Sequence, residues 1–212
     1  KMLSMSENAD DPAARSVSFD EITDAYEEQM SALIEGGVDA FLIETIFDTL
    51  NSKAALVAAE RAMKKMGRRV ELMLSLTISD NSGRSLSGQT IEAFIASVSH
   101  APLLSIGLNC GLGAEALLPY LRRICEVSPF YVSCHPNAGL PNALGKYVDT
   151  PFKMRSELAP FFDEGLLNII GGCCGTTPDH IAAINEEVEK GHAKIHKINT
   201  IDKNNLVLSG LE

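Results

Sequence analysis

A strand-like apolar run followed by a helix-like stretch recurs about every 30 residues through most of this chain. Five such runs begin at residues 40, 70, 103, 130 and 166. The stretches between them carry apolar side chains at helical spacing, as Leu50, Ala54, Val57 and Ala58 do within residues 49–66. A strand-then-helix unit of this length is the βαβ repeat of a parallel sheet. The pattern therefore limits the chain to parallel α/β architectures, either an open sheet or a barrel.

The two ends of the chain stand outside this repeat. Ser18 and Glu21 have the spacing of a capping box, which predicts a helix before the first strand. The repeat stops near residue 190, and a polar stretch follows it. We therefore expect one domain over residues 1–190 and a linker over residues 191–212. Five βα units are too few to close an eight-stranded barrel, so the sheet is either open or completed by strands outside this sequence.

Charge and cysteine usage limit the partners and the compartment. A net charge of −10 argues against nucleic acid and anionic membrane surfaces as partners. No segment reaches the roughly 18 apolar residues that a membrane helix needs. The five cysteines are odd in number and two of them are adjacent, which suits metal or thiol chemistry better than a disulfide framework. We therefore expect a cytoplasmic protein.

Polar side chains collect where the predicted strands end. The chemistry of parallel α/β proteins sits at the carboxyl ends of the strands, which all meet at one edge. In this chain those ends carry a carboxylate, two amides, a histidine and three thiols, which are Glu44, Asn109, Cys110, His135, Asn137, Cys173 and Cys174. Chance surface polarity would not favour this end of the strands over the other. The sequence therefore predicts a functional site at this edge.

Three of the thiols have the arrangement of a metal site. Cys110 arrives on one strand, and Cys173 and Cys174 follow another. Neighbouring side chains of a regular strand point to opposite faces, but the glycines at 171, 172 and 175 allow a sharp turn. Three thiolates can hold a catalytic zinc and leave its fourth position open to substrate. The alternatives are a vicinal-dithiol redox pair and buried packing cysteines, and the second of these suits Cys125 and Cys134.

At these positions the chain resembles the homocysteine S-methyltransferases. The similarity rests on three motifs at the strand ends, Gly171–Ile181, Gly107–Cys110 and Leu42–Asn51. Within that family, Leu86–Thr90 and His135–Asn142 are most similar to the cobalamin-dependent methionine synthases. The last residues, 208–212, resemble the passage from the homocysteine-binding domain of those enzymes into a folate-binding domain.

The resemblance implies an α/β fold of the TIM barrel type, (β/α)8, of which this chain carries strands 4–8. It assigns zinc to the thiols of Cys110, Cys173 and Cys174. It assigns the substrate to the polar side chains of Glu44, Asn109 and Asn137. In this interpretation Glu44 receives the amino group of homocysteine, and Asn137 lies near the metal when substrate is absent. The family's first three βα units have no counterpart in this sequence, so we expect exposed barrel edges and self-association.

The resemblance also implies a reaction. The zinc-bound thiolate of homocysteine would accept a methyl group from methylcobalamin on another domain, giving methionine. Methyltetrahydrofolate on a folate-binding domain would then recharge the cobalamin, so homocysteine and these two domains of the same polypeptide are the expected partners. Three alternatives stay open: betaine or S-methylmethionine as the methyl donor, a zinc that only staples the fold, and a metal-free redox pair at Cys173 and Cys174.

Overall fold

Strands and helices alternate along the chain as the sequence predicts. The structure, a computed structural model, describes residues 1–190, 197–200 and 206–212. In chain order the elements are α1 (Phe19–Glu35), β1 (Ala40–Ile46), α2 (Thr49–Met66), β2 (Glu71–Leu76), α3 (Ile91–Val98), β3 (Ser105–Gly113), α4 (Ala114–Val127), β4 (Tyr131–Asn137), α5 (Pro151–Asp163), β5 (Ile169–Ile170) and α6 (Pro178–Glu189). The domain boundary expected near residue 190 falls just past α6 and stays a prediction, because residues 191–196 lie outside the described ranges.

The five strands of the described residues form one parallel sheet in the order β1-β2-β3-β4-β5. Parallel crossovers are right-handed, so a sheet whose order never reverses carries its connecting helices on one side only. A doubly wound sheet would need a reversal of strand order. The topology is therefore that of a barrel, and within the described part of the chain β1 and β5 remain as free edges.

The main core lies between the sheet and its helices. One register row across four neighbouring strands is almost fully buried, and it consists of Ile43, Leu74, Ile106 and Val132. These side chains belong to one apolar cluster with four buried alanines of α2 and the buried leucines of α4. Full burial of a side chain of this size stabilises the fold by about 1.5–3 kcal/mol. Such a row fixes which face of each strand turns towards the helices.

The opposite face of the sheet, called the open face below, is far more polar. Its side chains alternate with the core row and include Leu42, Met73, Ser75, Ser105, Tyr131, Ser133 and His135. Within the described residues, the buried hydroxyls of Ser75, Ser105 and Ser133 and the Nδ1 atom of His135 make no hydrogen bond. Buried polar groups are normally hydrogen-bonded. The open face is therefore the side on which a closed barrel would supply further contacts.

Two β-bulges interrupt the sheet at its carboxyl edge. The register of β1 against β2 shifts within Ile43–Ile46, and that of β3 against β4 shifts within Asn109–Gly113. Bulges bend a strand and redirect its side chains, and they are frequent at barrel rims and beside active sites. Two residues of the predicted site, Glu44 and Cys110, lie within these bulges.

Strand β5 is shorter than the sequence predicts. The apolar run Leu166–Ile170 is typical of a strand, whereas only Ile169 and Ile170 pair with β4. The Asn168 side chain accepts the Val132 N–H at 2.9 Å, and the Asn168 backbone N–H donates to Val132 O at 2.9 Å. The side chain thus takes the place of a backbone carbonyl, and regular pairing begins one residue later.

The predicted helix signals are present in the structure. At the start of α1, Ser18 Oγ accepts the Glu21 N–H at 3.2 Å, and Glu21 Oε2 accepts the Ser18 N–H at 2.7 Å. This reciprocal pair satisfies two amides that a helix N-terminus leaves free. Helix α2 ends at Gly67, which adopts a φ of 66°. Among the helices of the described residues, none is long and apolar enough to cross a membrane.

Residues 209–212 lie against α3 and the segment that precedes it. The Thr90 N–H donates to Leu211 O at 3.0 Å, and the Ser97 and Ser209 hydroxyl oxygens are 2.6 Å apart. Part of the expected linker, including residues 201–205, lies outside the described ranges. The role of residues 191–212 as a linker therefore stays a prediction.

Gly107 lies at a close approach of β3 and β4, and its replacement tests their register. A Cβ atom on Gly107 would lie 1.9 Å from Ser133 O and 2.3 Å from Ser133 Oγ. The Gly107→Ala variant must separate two paired strands, and overpacking of this kind costs about 1–3 kcal/mol, occasionally more. We expect the midpoint of urea unfolding to fall accordingly. Gly36→Ala, whose added Cβ would come no closer than 3.4 Å to a neighbouring atom, is the control. Equal midpoints for the two variants would contradict the register.

Candidate metal centre

Three thiols meet at the carboxyl edge of the sheet. Cys110 lies in the bulge of β3, and Cys173 and Cys174 follow β5. The Sγ atoms of Cys110 and Cys174 are 3.6 Å apart, and those of Cys173 and Cys174 are 3.9 Å apart. All three sulfurs lie within 4.8 Å of one another. Each cysteine is a free thiol, so the edge carries three potential thiolate ligands directed at one point.

A tight turn lets the two adjacent cysteines face the same point. Gly175 adopts a φ of 78°, which a side chain would strain. Thr176 N–H donates back to Cys173 O at 3.1 Å, and this bond closes the turn. Cys174 N–H donates to Asn137 Oδ1 at 3.0 Å, which ties the turn to the end of β4. The turn expected from the surrounding glycines is therefore present.

The spacing and chemistry of the thiols fit a zinc ion. Zinc binds thiolate sulfur at about 2.3 Å in tetrahedral sites, which places two ligating sulfurs about 3.8 Å apart. The observed separations of 3.6 Å and 3.9 Å lie on either side of that value. Three protein ligands leave one coordination position for another group, as in catalytic rather than structural zinc sites.

Cys125 and Cys134 lie apart from the three-thiol cluster, as the sequence predicts. Cys125 Sγ donates to Leu166 O at 3.1 Å, and burial raises the pKa of Cys125 to about 12. Cys134 is fully buried on the helix side of β4, and burial raises its pKa as well. Both thiols therefore stay protonated near neutral pH and act as small packing groups.

The clustered thiols differ in how readily they ionise without a metal. The hydrogen bond from Cys110 lowers the pKa of Cys174, and the hydrogen bond from Tyr147 acts in the same direction. Burial raises the pKa of Cys173 to about 11, and the hydrogen bond from Asn109 only partly offsets this effect. A cation bound between the sulfurs would favour the thiolate form of each.

Two residues of the site hold a backbone conformation that side chains rarely adopt. Thr45 has a φ of 55° and Cys110 has a φ of 57°. The left-handed region costs a residue with a Cβ atom roughly 1–2 kcal/mol, and a β-branched residue such as threonine is an outlier there. Such conformations persist only where the surroundings enforce them, and they cluster at functional sites.

Asn109 is fully buried between the end of β1 and the thiols. Its Oδ1 accepts the Thr45 N–H at 2.9 Å, and its Nδ2 donates to Thr45 Oγ1 at 2.9 Å. The same Nδ2 lies 3.8 Å from Cys173 Sγ. Thr77 Oγ1 donates to the Asn109 carbonyl at 3.0 Å, which ties the segment to the end of β2. The side-chain amide of Asn109 thus contacts Thr45 and Cys173. The expected contact of Asn109 with substrate stays a prediction.

The remaining residues of the predicted site surround this centre. Asn137 is buried beside Cys174, whose N–H it accepts. Glu44 is exposed at the end of β1. Burial lowers the pKa of His135, and the carboxylate of Glu44 opposes this shift. The structure brings these side chains to one edge, and the roles of Glu44 and Asn137 in substrate binding stay predictions.

Two residues of the site, Thr45 and Tyr147, are not among the site residues that the sequence predicts. Thr45 follows Glu44 directly, and its place at a strand end is a signal that could have found it. Tyr147 comes from the loop between β4 and α5, and a Cβ atom on Gly175 would lie 2.2 Å from Tyr147 Cβ. The hydrogen bond with Cys174 raises the pKa of Tyr147. Nothing local in the sequence marks this tyrosine.

A sequential parallel sheet that gathers three thiols at its carboxyl edge defines a barrel-type α/β domain whose thiols could hold a metal ion. Residues 1–188 match the family model for homocysteine S-methyltransferase. The match covers most of the sequence, and the chain belongs to the homocysteine S-methyltransferase family.

Two solved structures of the homocysteine methyltransferase MmuM from Escherichia coli share this fold. The apo form matches with a TM-score of 0.60 and 21% identity, over 81% of this chain and 57% of that chain. The metallated form matches with a TM-score of 0.61 and 21% identity, over 81% of this chain and 53% of that chain. This chain thus spans little more than half the length of these relatives. The predicted fold class, part of a (β/α)8 barrel, is confirmed.

Proposed function

We propose that this chain binds zinc and holds homocysteine as a thiolate that accepts a methyl group. One observation carries the proposal, which is the cluster of three free thiols in a member of the homocysteine S-methyltransferase family. Cys110, Cys173 and Cys174 would hold the metal and leave one coordination position. The sulfur of homocysteine suits that position because zinc prefers thiolate and imidazole ligands.

The residues of the chain prepare the site before substrate arrives. The bulge at Cys110 and the turn at Gly175 fix the directions of the three sulfurs. Bound there, zinc would act as a Lewis acid that keeps a coordinated thiol ionised near neutral pH. This matters because a free thiol has a pKa of about 8.5 and is mostly protonated at pH 7. A preformed site also reduces the reorganisation needed for methyl transfer.

Glu44 is the proposed partner of the homocysteine amino group. Its carboxylate is exposed at the same edge of the sheet as the thiols. A carboxylate at this place would pair with an ammonium group and would favour an amino acid over a simple thiol. Asn137 is proposed to lie near the metal when substrate is absent, and its hydrogen bond with Cys174 supports that placement.

The proposed methyl donor is methylcobalamin on another domain of the same polypeptide, with methionine as the product. The motifs Leu86–Thr90 and His135–Asn142 support the methionine synthase branch of the family. A folate-binding domain would supply the methyl group of methyltetrahydrofolate to the cobalamin. In this proposal residues 1–190 form the homocysteine-binding domain of a cytoplasmic enzyme, and residues 191–212 lead towards the folate-binding domain.

Three alternative functions use the same residues and make different predictions. Betaine or S-methylmethionine as the donor would leave the thiol site unchanged and remove the need for cobalamin. A structural zinc staple would need a fourth protein ligand, whereas the metal-ligating cluster found in the described residues has three members. A redox pair would cycle Cys173 and Cys174 through a disulfide without metal, so the zinc content of the reduced protein distinguishes it.

Homocysteine should release about one proton when it binds the zinc-loaded protein near pH 7. The free thiol is mostly protonated at that pH, whereas the coordinated sulfur is a thiolate. Calorimetry in buffers of different ionisation enthalpy measures the release. Methionine, whose sulfur carries no proton, is the matched ligand and should release none. Homocysteine binding without proton release would contradict thiolate coordination.

A further inference from the structure

One buried side chain joins Thr45 to the thiol cluster. Both polar atoms of the Asn109 side chain bind Thr45, Oδ1 to its N–H and Nδ2 to its hydroxyl, each at 2.9 Å. The same amide nitrogen lies 3.8 Å from Cys173 Sγ. Cys110 is the next residue along the chain. A single asparagine therefore connects the end of β1 with two of the three thiols.

This connection holds Thr45 in its left-handed conformation. A threonine with a φ of 55° is strained, and two hydrogen bonds to a fully buried amide oppose the strain. Glu44 precedes Thr45 in the same bulge. The backbone conformation of the bulge decides where the Glu44 carboxylate points. Loss of the Thr45 hydroxyl would let the bulge relax and redirect that carboxylate.

We infer that Thr45 and Asn109 form a positioning pair that sets the Glu44 carboxylate relative to the thiols. The pair would thereby determine the preference of the site for thiols that carry an α-amino group. The inference rests on the proposed function, because Glu44 must be the group that receives the amine. This role of Asn109 runs through Glu44 and is separate from its predicted contact with substrate.

Thr45→Val tests the positioning pair, because valine keeps the branched shape and removes the hydroxyl. In the full-length, zinc-loaded protein we expect the affinity for homocysteine to fall about tenfold, with the zinc content unchanged. The affinity for 4-mercaptobutyrate, which is homocysteine without its amino group, should stay at the wild-type value. Thr45→Ser keeps the hydroxyl and should restore homocysteine binding. An equal fall in affinity for homocysteine and for 4-mercaptobutyrate would overturn the inference.

A double variant tests whether the pair acts through Glu44. Glu44→Gln should weaken homocysteine binding and leave zinc in place, because the carboxylate is the proposed partner of the amine and not a ligand of the metal. Adding Thr45→Val should then weaken binding little further, because both changes remove the same interaction. Losses that simply add would show that Thr45 acts independently of Glu44, and the inference would be wrong.

Hydrogen exchange separates this inference from the proposed function. The Thr45 amide donates to Asn109 Oδ1, so it should exchange slowly in the wild type and faster in Asn109→Ala. Fast exchange in the wild type would overturn the positioning pair whatever the substrate. A wild type that binds zinc but neither thiol, with a slow Thr45 amide, would instead refute the proposed function and the selective role that depends on it.

Discussion

Cys173→Ser is expected to lose most of its zinc, whereas the wild-type protein is expected to bind about one zinc ion per chain. A serine hydroxyl does not ionise near neutral pH, so the variant keeps two of the three thiolates that lie within 4.8 Å of one another. Loss of a direct ligand should weaken binding by more than the roughly 10–100-fold that loss of a supporting group causes. Elemental analysis of the reduced and dialysed protein measures the effect.

Cys125→Ser provides the matched control for this experiment. Its thiol donates to Leu166 O away from the cluster, and a serine hydroxyl can make the same bond. The control should therefore keep its zinc. Stoichiometric zinc in Cys173→Ser would rule out the proposed ligand set. Equal loss of zinc in both variants would point to a general loss of structure and not to a missing ligand.

The isolated chain is expected to associate with further copies of itself or to bind a segment that completes the barrel. Strands β1 and β5 are free edges within the described part of the chain, and exposed edges pair with other chains. On the open face the hydroxyls of Ser75, Ser105 and Ser133 lack hydrogen bonds among the described residues. A closed barrel fills such an interior with side chains from all its strands, and closure removes both edges.

Light scattering of the isolated chain, alone and with a segment that carries three further βα units, tests this expectation. Alone, the chain should be larger than a monomer or should bind homocysteine weakly. With the segment it should form a one-to-one complex that binds homocysteine more tightly. A stable zinc-loaded monomer with tight homocysteine binding would contradict the prediction, and it would mean that the segment before β1 covers the open face.

The order of the elements could be predicted because every unit buries one face against the next. Apolar periodicity places Thr49–Met66 within the bounds that the structure shows, and Gly67 ends that helix as a glycine commonly does. The same repeat predicts the thiol cluster, since parallel strands end at one edge whatever their loops do. Topology therefore brings Cys110 to the same edge as Cys173 and Cys174, and the bulge at Cys110 and the turn at Gly175 then direct the three sulfurs.

The bulges could not be predicted, and the finer geometry of the site depends on them. A bulge inserts a residue without changing the apolar pattern on either side of it. Thr45 and Cys110 have φ values of 55° and 57°, although such values favour glycine or asparagine. Asn109 holds Thr45 from 64 residues further along the chain. A contact between residues so far apart leaves no local signature in the sequence.

Because Cys110 has a left-handed conformation, selection for its thiol and selection for stability favour different residues at position 110. A glycine would adopt the φ of 57° without strain, so Cys110→Gly would relieve roughly 1–2 kcal/mol of conformational cost while deleting a thiol. Selection for stability alone would therefore favour glycine at position 110, and that change would leave two of the three thiols. Where selection for the thiol is absent, a change at position 110 would gain stability, whereas most substitutions in a folded protein lose it.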